Sequence, residues 1–145
     1  MSGGAQALAA RCADAMWRDD AAGQALEMKV EAVSPGAASV SMQVTAAMVN
    51  GHGLCQGGYI FTLADSAFAY ACNTYNQRAV AQHCAVTFLR PGRLGDRLTA
   101  NAVERARGGR SGIYDVSVAR ADGEIIAEFR GHSRLIEGAL IEGGA

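Results

Sequence analysis

Apolar and polar positions change period several times along these 145 residues, and each change marks an element. From about Ala5 to Arg18, Leu8, Cys12, Ala15 and Met16 recur near one face at helical spacing, which predicts an amphipathic helix. Asp19, Asp20 and Gly23 interrupt it. Val40, Met42 and Val44 then alternate with Ser39, Ser41, Gln43 and Thr45, the period-two signature of a half-buried strand. This places a strand pair at Leu26 to Ala32 and Ala37 to Thr45, around Ser34-Pro35-Gly36. Beyond residue 78 the pattern is β again. Strands are expected at Ala79 to Leu89, Asp96 to Arg107, Ser111 to Arg120 and Glu124 to Leu135, the last two joined at Ala121-Asp122-Gly123. From Glu137 to Ala145 the chain is small and polar, which predicts a loose tail.

Between the two β regions, from Gly57 to about Ala71, no period separates apolar from polar residues. Side chains there are small, apolar or aromatic on every face, so this helix should be enclosed. One antiparallel sheet curved around a single central helix, an α+β arrangement in one domain spanning 1–145, would bury it economically. The sheet covers one side only. The other side needs the N-terminal helix or a second molecule.

Asp65 stands in the middle of that helix, where an ionised carboxylate is costly unless it is paired or opens onto a cleft. One reading is structural, with Asp65 hydrogen-bonded to backbone or paired with an arginine. The other is chemical. A glycine-rich loop, Asn50 to Gly58, runs into the helix, and Gly57 and Gly58 leave their amides unobstructed at its N-terminus. Unpaired amides there suit a carbonyl oxygen gaining negative charge. A carboxylate with an oxyanion site is a minimal apparatus for acyl transfer. Eight residues separate Gly57 from Asp65, roughly 12 Å along one helix. One chain cannot bring both to one carbonyl, but two such helices lying antiparallel across a twofold axis can.

Composition narrows the field. A net charge of −1 with pI near 6.3 leaves no general nucleic-acid or membrane footprint. No apolar run reaches the roughly 18 residues of a spanning helix, and the N-terminus lacks a signal-peptide core, so a cytoplasmic protein is expected. Cysteines 12, 55, 72 and 84 and histidines 52, 83 and 132 lack disulfide-framework or metal-ligand spacing, so neither metal nor cofactor is expected. The loop carries no Gly-Lys-Ser/Thr and no dinucleotide spacing, and no Gly-x-Ser-x-Gly elbow occurs. Cys55 has no evident activating base. His83 reads as an ordinary strand residue, with an active-site role as the alternative. Among the arginines, Arg90 and Arg93, and those from Arg105 to Arg110, are candidates for a ligand's phosphates.

Asn50-Gly51-His52-Gly53, Gly57-Gly58, Phe61 to Ala69 and Phe88-Leu89-Arg90-Pro91-Gly92, with Gly112 to Val116 and Phe129-Arg130-Gly131, closely resemble the hotdog-fold thioesterases of phenylacetic acid degradation. The likeness runs from about Met16 to Leu135. It implies an acyl-CoA thioesterase acting on phenylacetyl-CoA and its ring-hydroxylated derivatives, built as a homodimer through its long helices and usually doubled into a homotetramer. By position it implies Asp65 as nucleophile or general base, Gly57 as oxyanion amide and Asn50 as the polar loop residue. Gln56, Gly58, Ser66, Arg90 and Arg110 are the expected substrate contacts. The family's usual His-Gly-Gly is Gln56-Gly57-Gly58 here, and glutamine can donate a hydrogen bond but cannot titrate near neutral pH. A hotdog hydratase or dehydratase and a non-catalytic acyl-CoA sensor are the competing readings.

Overall fold

The computed structural model describes residues 2–142. Its elements run α1 (Ser2–Arg18), α2 (Ala21–Ala25), β1 (Lys29–Ser34), β2 (Ala37–Gln43), α3 (Gly57–Cys72), β3 (Ala79–Phe88), β4 (Arg97–Gly108), β5 (Ser111–Arg120) and β6 (Ile125–Leu135), with one 3-10 turn at Ala46–Met48. Six strands form one sheet in the order β1-β2-β4-β5-β6-β3, every neighbouring pair antiparallel. The helix α3 packs against one face of it, giving the α+β architecture expected from the pattern.

Local chemistry explains where the elements begin and end. The acidic pair after α1 does more than stop a helix: Asp20 caps α2, its Oδ1 accepting from Gly23 N–H at 2.9 Å. Glu27 then turns the chain at φ +53. In the Pro35-Gly36 turn, Gly36 adopts φ +75, the type II geometry that glycine supplies without steric cost. The β1–β2 ladder therefore runs up to Ser34 and Ala37, two residues further than the pattern suggested. α1 buries Ala9, Cys12 and Ala13, so its inner stripe is rotated slightly from the Leu8/Ala15 side. The tail expected to be loose is held over part of its length. Gly138 and Ala139 carbonyls accept from Arg78, and Leu140 and Ile141 amides donate to Asn76 Oδ1. Residues 143–145 lie outside the described residues.

The core forms where α3 meets the sheet. Val40, Met42, Leu98, Ala100, Val116, Val118 and Ala127 are all completely buried. Small residues under the helix let it sit close: Phe68 lies directly on Gly131, where an added Cβ would come within 2.8 Å of its ring. Phe68 also packs on Phe129 and Tyr114, with ring centroids 5.8 and 5.6 Å away. Phe68→Ala is accordingly expected to cost about 3–5 kcal/mol. A thermal melt checks this; an unchanged midpoint would show that the contact is dispensable.

Two surfaces are left open beside each other. One is the face of α3 carrying Gly58, Thr62, Asp65, Ser66 and Ala69, none of them buried. The other is the outer edge of β3, a ten-residue strand with Val80 and Phe88 about half exposed. Such an edge, without lysine or proline, is a template for pairing with another strand.

Candidate active site

The loop before α3 is built by Asn50. Its Oδ1 accepts from the amides of His52 (2.9 Å) and Leu54 (3.2 Å), while its own N–H donates to the Leu54 carbonyl. This side-chain turn is the reason asparagine suits the position. Bridges from Val49 to Cys55 and from Leu54 to Arg93 tie the loop down, and Cys55 N–H donates to Gly92 O at 2.7 Å. Cys55 itself is buried, and burial pushes its thiol pKa up. That disfavours it as a nucleophile.

Gln56 is the residue before the helix, extended at φ −63 and ψ 136, and its exposed side chain makes no capping bond. Neither Gly57 nor Gly58 donates its amide to a protein acceptor among the described residues. Phe88 covers Gly57 from one side, and Gly58 has open space around it. The result is an amide pair at a helix N-terminus that follows a hydrogen-bonded loop and is available to an oxygen ligand.

Asp65 lies half-buried on the open face of α3, and no hydrogen bond or ion pair holds it among the described residues. The structural reading, a carboxylate paired with arginine or backbone, is therefore not what this chain builds. Burial alone raises its pKa above the ordinary aspartate range. Asp65 and Ser66 line a cleft of about 570 Å³ between α3, the N-terminal helices, the start of β3 and the tail. Asn50, Gln56, Gly57 and Gly58 do not reach this cleft, as their distance along the helix requires.

A raised carboxylate pKa has a definite sign. The folded chain prefers the protonated form, so this group's contribution to stability is present at low pH and is lost as pH rises through the folded-state value. Asp65→Asn is expected to melt higher than wild type at pH 7, and the difference should shrink towards pH ~4. Melting both proteins at the two pH values checks this; a variant less stable at pH 7 would reveal an unseen partner. Any reaction that uses ionised Asp65 as base should also lose rate on the acid side at a pH above the usual aspartate range.

The remaining candidates divide by position. Arg90 donates from Nη1 to Ile125 O at 2.7 Å and pairs with Glu124 at 3.5 Å, close to its own loop. Arg110 is exposed at the β4–β5 turn, the end of the sheet opposite the Phe88–Gly57 corner. His83 stacks edge-on against His132 at 5.3 Å on the outer sheet face, away from α3. Two features of the cleft escaped the sequence reading: the Asp20–Tyr70 hydrogen bond at its far side and the tail that forms one wall. The spacing 58, 62, 65, 66, 69 of small and polar residues was the available signal for the open face.

Comparison with known proteins places this arrangement. Residues 52–127 match the thioesterase superfamily. The acyl-coenzyme A thioesterase PaaI of Escherichia coli is 46% identical over 128 residues, 88% of this chain and 91% of that protein. The structure of the E. coli PaaI protein from the phenylacetic acid degradation operon superposes with a TM-score of 0.91, covering 92% of this chain and 97% of its own. A mutant of the phenylacetic acid degradation protein PaaI from Thermus thermophilus, 38% identical, superposes at 0.75 over 79% of this chain and 97% of its own. With its α+β hotdog fold and the extent of that match, the chain belongs to the thioesterase superfamily.

Proposed function

We propose that the protein hydrolyses aromatic acyl-CoA thioesters, phenylacetyl-CoA and its hydroxylated derivatives, to the free acid and CoA, at a site shared by two subunits. The observation that carries this reading is that, among the described residues, Asp65 is unpaired on the open face of the same helix whose first amides have no acceptor. The similarity to an acyl-CoA thioesterase supports the substrate class.

Two copies brought together along the β3 edge, with their α3 helices antiparallel, would satisfy both open surfaces at once. Each Gly57 then faces Asp65 of the partner subunit. The thioester oxygen accepts from Gly57 N–H, and Gln56 adds a donor beside it. Asn50 Nδ2 remains available to the carboxylate or its water, because only Oδ1 is engaged in the loop. Asp65 removes a proton from water as its oxygen bonds to the carbonyl carbon; the tetrahedral oxyanion is held by the helix amides. When it collapses, the C–S bond breaks and the sulfur leaves as the CoA thiol with the proton. In the covalent variant the Asp65 carboxylate attacks the carbonyl carbon, the C–S bond breaks as the CoA thiolate leaves, and water opens the resulting anhydride at the Asp65 carbonyl, giving up a proton to the thiolate. Labelled water under single turnover separates the routes, since only the second carries label into Asp65.

Arg90 would meet CoA phosphates from the subunit that supplies the loop, and Arg110 from the other, because the two sit at opposite ends of one sheet. On the outer sheet face Ser39, Asn101, Ser117 and Glu128 lie in cross-strand register, a polar surface that a second dimer could cover to give a homotetramer. Among the described residues no helix is long and apolar enough to cross a membrane, and a CoA-ester substrate favours a cytoplasmic setting. The deciding assay is thiol release from a panel of acyl-CoAs together with the mass of the protein in solution. Tight binding without thiol release would mark a sensor, and a monomer that turns over normally would refute the shared site.

A further inference from the structure

We infer that the small cavity at the C-terminal end of α3 binds a short-chain carboxylate, a monoanion of acetate or propionate size. Arg107 and Ser133 are its polar anchors. The site is distinct from the amide pair at Gly57 and from Asp65, and it stands whether or not the protein hydrolyses thioesters.

Among the described residues Ser41, Asn73, Thr74 and Ser133 are the buried polar side chains. Three of them are engaged. Ser41 Oγ donates to Glu31 Oε2 at 2.6 Å and accepts from Arg97 Nη2 at 2.8 Å. Thr74 Oγ1 donates to Ala71 O and accepts from Gly36 N–H. Asn73 uses Nδ2 on the Ala69 and Ala79 carbonyls and Oδ1 on Ala79 N–H. Ser133 differs. It is 5% exposed, and its hydroxyl makes no hydrogen bond among the described residues. Every fully enclosed side-chain oxygen and nitrogen there has a partner, so this hydroxyl opens onto free space. A buried polar group left in that state calls for a ligand or water to serve it.

The space is a cavity of about 150 Å³ beside the β4–β5 turn. Arg107, Gly112 and Ser133 stand in one cross-strand row along it. Glycine keeps it open: a Cβ at position 112 would come within 2.7 Å of Ser133 Oγ and 2.9 Å of the Tyr114 ring. Arg107 supplies the charge. Its Nε pairs with Glu104 at 3.2 Å and its guanidinium lies 3.6 Å over the Tyr75 ring, which fixes the plane of the fork. Its Nη groups have no acceptor among the described residues. Glu104 Oε1 already takes the Tyr75 and Tyr114 hydroxyls as well as Arg107, so it does not compete for a further donor. A planar fork matches a carboxylate, and one cation partly offset by Glu104 favours a single negative charge over a phosphate dianion. Cys72, Tyr114 and Leu135 offer apolar wall to a short stem. At roughly 30 Å³ per water the volume equals about five waters, enough for a small acid and far too little for a nucleotide.

The test titrates the isotope-labelled full-length protein with sodium propionate, phosphate and chloride at matched ionic strength, following backbone amide shifts by NMR. Propionate should give saturable shifts at Gly109, Ser111, Gly112 and Ser133 that chloride does not. Arg107→Gln should weaken propionate binding by about 10- to 100-fold, through loss of hydrogen bonds to a charged group. Ser133→Ala should weaken it by about 2- to 10-fold and leave the thermal midpoint unchanged, since no bond within the protein is lost. A lowered midpoint in Ser133→Ala would give the hydroxyl a structural partner and remove the observation on which the site rests. Affinity unchanged in both variants would overturn the proposal, as would propionate shifts no larger than those from chloride, the result for a cavity that holds only water. Tighter binding of phosphate would overturn the assignment to a monocarboxylate. Shifts confined to Gly57, Gly58 and Asp65 would place the acid where the thioester carbonyl reacts and would sink the cavity site. Thiol release is not the readout, so failure of this site and failure of the thioesterase reading are told apart.

Discussion

Asp65→Asn is expected to lose about 10²- to 10⁴-fold in kcat for thiol release from phenylacetyl-CoA, with little change in KM. The replacement is close in size and removes only the charge and basicity. Because no arginine or backbone amide pairs with Asp65 among the described residues, no structural bond is broken with it. Its burial points the other way: the variant should fold at least as well as wild type at neutral pH. A rate loss accompanied by unchanged or raised thermal stability is the signature of a reacting group. Normal turnover in a folded Asp65→Asn protein would dismantle the mechanism for both the base and the nucleophile variants.

Gly57→Pro is the second large effect, expected to lower kcat by about 10²- to 10³-fold through loss of one oxyanion donor. Gly57 is the first residue of α3, where proline fits the helix and removes only an amide hydrogen that has no partner among the described residues. The residue before it, Gln56, already has the extended conformation that proline demands of its neighbour. The new ring must push on Phe88, which is about half exposed and can swing aside. Gly57→Ala makes the same push but keeps the amide, so it isolates the donor from the bulk. Mixing denatured Asp65→Asn and Gly57→Pro chains and refolding them together should then recover activity. In each mixed pair one site combines intact Gly57 with intact Asp65, so random pairing restores about a quarter of wild-type sites. A site contained in one chain would recover nothing.

Much of this was legible in the chain. Strong periods made the strands of the second half readable, and glycine and proline marked their turns. The all-round apolar character of Gly57–Cys72 identified the central helix, and its one acid marked the site. Boundaries were harder wherever a turn type decided them, as at Pro35-Gly36, because pairing extends as far as the turn geometry allows. The tail was misjudged in part for a related reason. Small polar residues predict looseness, but Asn76 at φ +57 offers a side chain that captures two amides 64 and 65 residues away.

By itself the sequence determined that a long apolar helix needs a sheet on one side and something further on the other. It also determined that Gly57 and Asp65 lie too far apart on that helix to meet within one chain, since helical rise is a property of the backbone. Only the tertiary structure decided that Asp65 is left without a partner among the described residues, that its face and the β3 edge lie open side by side, and that the N-terminal helices and the tail join in lining the cleft. Those facts depend on which distant segments come together, and contacts between them leave no period in the chain.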